Sequence, residues 1–454
     1  MFHVLLEEVR GGSSATRSPR RNWPNRRTKL RAAARRGEGF DTETGLPESM
    51  VRTLRDVSFY EHCAEFAAAT WPVSSAKTRL SVIETLTRVV PVVVSDVKGA
   101  PDPAVLRSAL RKTVNPGGHA GELDEDEARA IAWIARASRP VGSLADPAVV
   151  CDVLDALTVN LDGKPAAPEY FSRRRVMHRA LAYAVRKRRL TANPLSKPNL
   201  PEGWTPPQAP DDTLDPRSVG SPELIAAMLE TCKGTGRRQG RRFAAFYGCM
   251  FYAMMRPSEV AALTCSGCEL PERGWGHLTF ADASPAAGKA FTDDGQVHEH
   301  RGLKGRTRGR PTTRGRRPAC RVPIPLELVV LLREHIDLFG TAPDGRLFRS
   351  ENGNPIHPST WWRVWYKVRC ATLNAEELAG PLMRRPYDLR HPGVTWRLNS
   401  GVPATEVAAW AGHSVEVLMR VYARCVTGLE DVWTSRMDGA LRLDGGRQDP
   451  GEEE

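Results

Sequence analysis

The sequence predicts a mainly α-helical protein with a small antiparallel β-sheet: a helical domain followed by an α+β domain. Three observations predict it. Between Val51 and Pro198, apolar residues recur at three-to-four spacing, the signature of amphipathic helices. Residues 196–218 then carry six prolines in 23 positions, a stretch that can neither continue a helix nor pair within a sheet. Beyond it, short β-like runs separated by Gly- and Arg-rich turns interrupt an otherwise helical pattern.

In chain order, residues 1–50 are rich in Arg, Ser and Gly with little apolar periodicity, and read as a disordered basic tail. Helices are predicted at 58–70, 104–113, 125–137, 147–158 and 168–189, within a helical domain spanning 51–197. Asp102-Pro103 and Asp146-Pro147 have the form of N-cap and first-turn pairs. The last of these helices carries Arg173, Arg174, Arg179, Arg186 and Lys187 around an apolar stripe, a charge run that reads as a solvated face or, if its neighbours also face nucleic acid, as a DNA-facing surface. The Pro-rich segment 198–218 is the predicted linker, and 219–442 the second domain. There, helices are predicted from Ser221 and over 241–255, and Pro257 forces Arg256 out of the α region, into a break between helices. Strands are predicted at 275–282, 291–304 and 319–325, then helices at 326–339, 358–373, 389–399, 403–411, 415–425 and 429–442. The end, 443–454, reads as an acidic tail.

The chain has 454 residues, 65 Lys plus Arg against 53 Asp plus Glu, and a formal charge of +12. That balance suits a polyanionic partner, because Lys and Arg on phosphates release condensed counterions. Nine scattered cysteines do not form a secreted disulfide framework, and Cys265-x-x-Cys268 lacks a second pair at zinc spacing. His298 and His300 have no neighbours to complete a metal site and read as surface residues. No apolar run approaches a membrane-spanning length, and the first residues lack a leader, so a cytoplasmic location is expected. There is no phosphate-cradling GxxxxGK[ST] and no paired carboxylate cluster, so neither nucleotide, other cofactor nor metal is expected.

Four segments carry the chemistry: MMRPSEVAAL (254–263), RGLKGR (301–306), RPYDLRHPGVTWRLNSGV (385–402) and WAGHSVEVLMRVYARC (410–425). In their order and spacing they resemble the tyrosine recombinase (phage integrase) family. The family pattern is an Arg in a helix break followed by x-x-Glu, a Lys on a β-hairpin, His-x-x-Arg, and Gly-His with a Tyr nine residues on. Arg256 with Glu259, Lys304, Arg390 followed by His391, His413 and Tyr422 occupy those places. The resemblance covers about residues 218–440, and more loosely the helical region before, which looks like the family's core-binding domain. It implies a site-specific recombinase that cuts and rejoins DNA through a 3′-phosphotyrosine formed on Tyr422. Integration or excision of a mobile element is the favoured role. The alternatives are a chromosome-dimer-resolving recombinase, a type IB topoisomerase-like enzyme and a catalytically impaired DNA-binding relative.

The resemblance gives each group a role that its chemistry suits. Two always-charged, fork-shaped guanidiniums, Arg256 and Arg390, would clamp the phosphate. Lys304 would protonate the leaving 5′ oxygen. Glu259 would orient a partner, with His391 as outer support. The implied partners are double-stranded DNA, three further copies of the chain in a tetramer on DNA (a monomer when free) and an accessory directionality factor. One departure stands out. Tyr387 holds the place of the family's first His, which leaves three candidates for the nucleophile's proton acceptor: His413, Tyr387 and a water. Nine of the 21 residues from Arg301 to Arg321 are basic, so Lys304 has close competitors; Arg306, Arg308 and Arg310 read as DNA contacts. On the 415–425 helix, Val417, Leu418, Val421 and Cys425 define the predicted buried stripe, with Tyr422 at its edge.

Overall fold

A computed structural model describes residues 30–42, 45–49, 57–118, 122–209, 213–236, 238–303, 319–426 and 430–444. The described residues are mainly helical with two small antiparallel sheets, the predicted class. Contacts divide the chain into two compact units, residues 1–73 with 81–208 and residues 74–80 with 209–454.

Along the chain to residue 208 run α1 (Phe59–Thr70), α2 (Ala76–Val89), α3 (Pro103–Thr113), α4 (Glu125–Ala137), α5 (Pro147–Thr158) and α6 (Ala167–Arg186). Asp102 and Asp146 cap α3 and α5 as the sequence predicts, each accepting a backbone N–H two residues on, with Pro in the first turn. α2 was not predicted. Its Thr- and Val-rich sequence has modest helix propensity, and burial of Ile83, Leu86 and Val89 decides its structure instead. The tail expectation also needs correction. Residues 30–35 are helical, Phe40 bridges Pro47, and Ala33 and Leu46 are buried, so this stretch does bury apolar side chains. The rest of the predicted tail, residues 1–29, lies outside the described residues.

In the second unit α8 (Gln239–Tyr252) is the central element. Every residue from Phe243 to Tyr252 is buried, as in a helix enclosed on all sides. Around it pack α7 (Pro222–Gly234), α10 (Leu326–Phe339), α11 (Pro358–Thr372) and α13 (Arg390–Asn399). Strands β1 (Cys268–Glu269), β2 (Gly276–Phe280) and β5 (Cys320–Ile324) form an antiparallel sheet in which Leu278 faces Val322. β2 and β5 alternate strictly, with Gly276, Leu278 and Phe280 buried on one and Cys320, Val322 and Ile324 on the other. Among the described residues of the predicted 291–304 strand, β4 (Arg301–Gly302) forms, pairing with β3 (Asp282–Ala283). The Thr-Asp-Asp-Gly run at 292–295 makes a turn instead, as its composition favours. The remaining helices are α9 (Pro257–Val260), α12 (Ala375–Ala379), α14 (Ala404–Ala411), α15 (Val415–Tyr422) and α16 (Glu430–Asp444).

Gly393 lets α13 lie against the end of α8, since a Cβ there would sit 2.1 Å from the Phe251 carbonyl oxygen. Arg397 pins the same helix, donating to the Tyr252 carbonyl and, at 2.8 Å, to that of Pro323. Because backbone rather than a flexible side chain blocks the methyl, Gly393→Ala should cost about 1–3 kcal/mol or more by overpacking. A thermal-unfolding midpoint equal to wild type would show that the two helices can separate freely.

Candidate active site

The site begins where α8 ends. Pro257 holds Arg256 in extended geometry, φ −75° and ψ 150°, at the predicted break. One turn into α9, the buried Glu259 carboxylate reaches back. Its oxygens accept from the Arg256 backbone N–H and from Nη1, both at 2.8 Å. Burial works against the Arg256 charge, but Glu259 and Tyr387 outweigh it and hold the guanidinium's pKa above its ordinary value. The Glu259 carboxylate therefore aims the guanidinium and keeps it charged.

Arg390 opens α13 and is fully buried. Its terminal nitrogens donate to the carbonyls of Met254 and Ala411, and Nη2 also meets His413 Nε2 at 3.0 Å. A guanidinium can only donate, so Nε2 accepts in this contact. Arg256 Nη2 contacts the next carbonyl, Gly412, at 3.4 Å. The two arginines thus grip three consecutive residues, 411–413. Gly412 ends α14 in left-handed geometry at φ +66°, ψ 44°, where glycine is the residue least strained, and this turn delivers His413 to Arg390.

Tyr422 closes the cluster. Its hydroxyl lies 2.9 Å from His391 Nδ1, and its ring stacks at 27° on that of His413, centroids 6.2 Å apart. The ring is 1% exposed, a correction to its predicted place at the stripe's edge. The stripe is Leu418, Tyr422 and Cys425, with Val417 and Val421 half-buried. Residues 418 and 422 are one helical turn apart and share the inward face. Burial dominates and holds the phenol's pKa well above its ordinary value, against the pull of Arg390 and Arg256. Burial lowers that of His391 to about 4, so this imidazole is neutral near pH 7. Tyr387 lies edge-on to His391 with centroids 5.7 Å apart.

Lys304, Arg306, Arg308 and Arg310 lie outside the described residues. The strand that leads to them is anchored beside Arg256: Ser284 N–H donates to the Ser258 carbonyl at 2.7 Å, and Leu303 N–H to that of Ala281 at 3.0 Å. On α6 the candidate DNA-facing residues divide. Arg173 caps the end of α5 through the Leu157 and Val159 carbonyls and Asn160 Oδ1, and Arg174 donates to the Leu195 carbonyl. Lys187 pairs with Glu65 at 2.7 Å. These three serve local structure, since open carbonyls and a carboxylate lie within their reach. Arg179 and Arg186 are exposed, as is Arg175, which the sequence reading passed over. His298 is buried rather than on the surface, its backbone bridged to Ala286; His300 is exposed. Among the described residues no group of three or more His, Cys, Asp or Glu is placed to hold a metal, and no helix is long and apolar enough to cross a membrane.

His391 also lines an open cleft with Trp362, Arg369, Arg384 and Arg385. Arg369, Arg384 and Arg385 make this lining cationic.

No family model and no curated protein matches the chain. Solved structures similar to it include the Tn1549 transposon integrase in complex with a circular intermediate DNA, 14% identical, TM-score 0.47, over 74% of this chain and 98% of that one. XerH site-specific recombinase bound to difH substrate is 12% identical, TM-score 0.47, over 83% and 95%. A lambda integrase tetramer bound to a Holliday junction is 10% identical, TM-score 0.46, over 91% and 86%.

Proposed function

We propose that this chain is a site-specific DNA recombinase of the tyrosine type, which breaks and rejoins DNA through a covalent phosphotyrosine at Tyr422. One observation carries the reading. A phenol, two imidazoles and two guanidiniums, supplied by the α8–α9 break, the start of α13, the α14–α15 turn and the end of α15, converge in one cluster. Tyrosine is a weak nucleophile while protonated. A cationic cluster around it both stabilises the phenolate and meets the charge that grows on a phosphate under attack.

In the reaction Tyr422 Oη attacks phosphorus and the 5′ oxygen leaves, protonated by Lys304. The phosphotyrosine keeps the phosphodiester's energy, and a 5′ hydroxyl of another strand later reverses the step. Arg256, 27% exposed at its side chain, is the guanidinium open to a phosphate in the described state. Arg390, fully buried, holds the 411–413 turn beside it. The substrate is double-stranded DNA at paired attachment sites, and the biological role is integration or excision of a mobile element. The chain acts as a tetramer on DNA and is a monomer when free, with an accessory factor setting direction; on α16, Trp433 and Met437, 54% and 57% exposed, offer an apolar contact for a neighbouring copy. The work takes place in the cytoplasm.

A nicked suicide substrate, which loses its leaving strand after cleavage, should trap the chain as a covalent protein–DNA adduct visible on a denaturing gel. Absence of adduct across a panel of candidate sites would reject the enzyme in favour of a DNA-binding relative. Relaxation of supercoils without site preference would point to a topoisomerase-like enzyme instead.

A further inference from the structure

We infer that His391, through Nδ1, is the base that takes the Tyr422 proton, filling the role left open by Tyr387. This rests on the recombinase reading. His391 Nδ1 lies at hydrogen-bond distance from the phenol oxygen, 2.9 Å. The sequence alone makes His413 the natural candidate, but the geometry assigns it otherwise. Its Nε2 accepts from Arg390, and its ring stacks at 27° on that of the phenol with centroids 6.2 Å apart. Tyr387 contacts the ring of His391 and takes part in the interactions of Arg256, which makes it a positioning residue.

The charged and titratable groups around His391 are Arg384, Arg385 and Asp388 on the preceding turn, Arg369 on α11 across the shared cleft, Arg390 on its own helix, and Tyr387 and Tyr422 through their rings. Arg390 and Arg385 disfavour a protonated ring and Asp388 favours it, but burial dominates and leaves the base in its neutral, proton-accepting form. As the Oη–phosphorus bond forms and the phosphorus–O5′ bond breaks, the phenolic proton passes to Nδ1. The 5′ oxygen takes its proton from a separate acid, Lys304 in the reading above. In the reverse step the imidazolium returns its proton to Tyr422 as the phosphotyrosine is displaced.

The test is single-turnover cleavage of the suicide substrate by the full chain. His391→Ala should slow adduct formation about 100- to 10,000-fold, the range for loss of a general base. Added imidazole should restore its rate in proportion to concentration, whereas a substrate with sulfur at the bridging 5′ position, which needs no leaving-group acid, should not. Wild type should cleave at a rate independent of pH from about 6 to 9, because the base is already neutral there. This last measurement does not depend on any variant folding. A His391→Ala rate within threefold of wild type, rescue by the sulfur substrate, imidazole rescue of His413→Ala instead, or a wild-type rate rising tenfold per pH unit would each overturn the assignment. Wild type run alongside separates the two levels: no wild-type adduct overturns the recombinase reading and this proposal with it, while a fast His391→Ala adduct overturns the proposal alone.

Discussion

Tyr422→Phe should leave DNA affinity within about twofold of wild type while abolishing the covalent adduct, a loss of more than about 10⁴-fold in cleavage on the scale of other nucleophile deletions. The substitution removes one oxygen. The ring it keeps stays buried with Leu418 on the inner face of α15, so packing changes little. The His391 Nδ1 contact at 2.9 Å is lost, which should cost about 1 kcal/mol. Adduct formation by the variant would mean another side chain attacks, and the assignment of the nucleophile would fall. Loss of binding together with cleavage would mean that the phenol organises the site rather than reacting.

Arg390→Ala should have the largest effect on stability and activity together. Its guanidinium serves the Met254 and Ala411 carbonyls and His413, all in a fully buried position. Truncation leaves buried acceptors without a donor, at about 1–3 kcal/mol each. It also frees the 411–413 turn, so His413 is no longer held beside Tyr422. We expect a lower denaturant midpoint and no adduct. Arg390→Lys should recover part of the stability but not the adduct, since one ammonium cannot span three acceptors with the reach of a planar fork. A folded Arg390→Ala variant that still forms adduct would show that Arg256 alone suffices at the phosphate.

Part of this site was legible because the local rules act over a few residues. Pro257 disfavours the α region at Arg256, and Glu259 lies three residues on, where a first-turn carboxylate can return to its cap. Other parts were not. α2 reads weakly because its β-branched residues disfavour an isolated helix, and only the burial of Ile83, Leu86 and Val89 selects it. Arg173 and Arg174 resembled a solvent-facing charge run, yet they donate to carbonyls at the end of α5 and at Leu195, positions that spacing along α6 cannot disclose.

The sequence by itself determined which groups the chain carries, their order, and the helix breaks and caps that present them, since propensity, capping and proline sterics operate within a turn or two. The tertiary structure alone decided which imidazole meets the phenol. His391 and Tyr422 are 31 residues apart, and their contact depends on how α13 and α15 pack, with Gly393 allowing α13 onto α8. A hydrogen bond is made or lost over a few tenths of an ångström, and no spacing along a chain specifies position that finely.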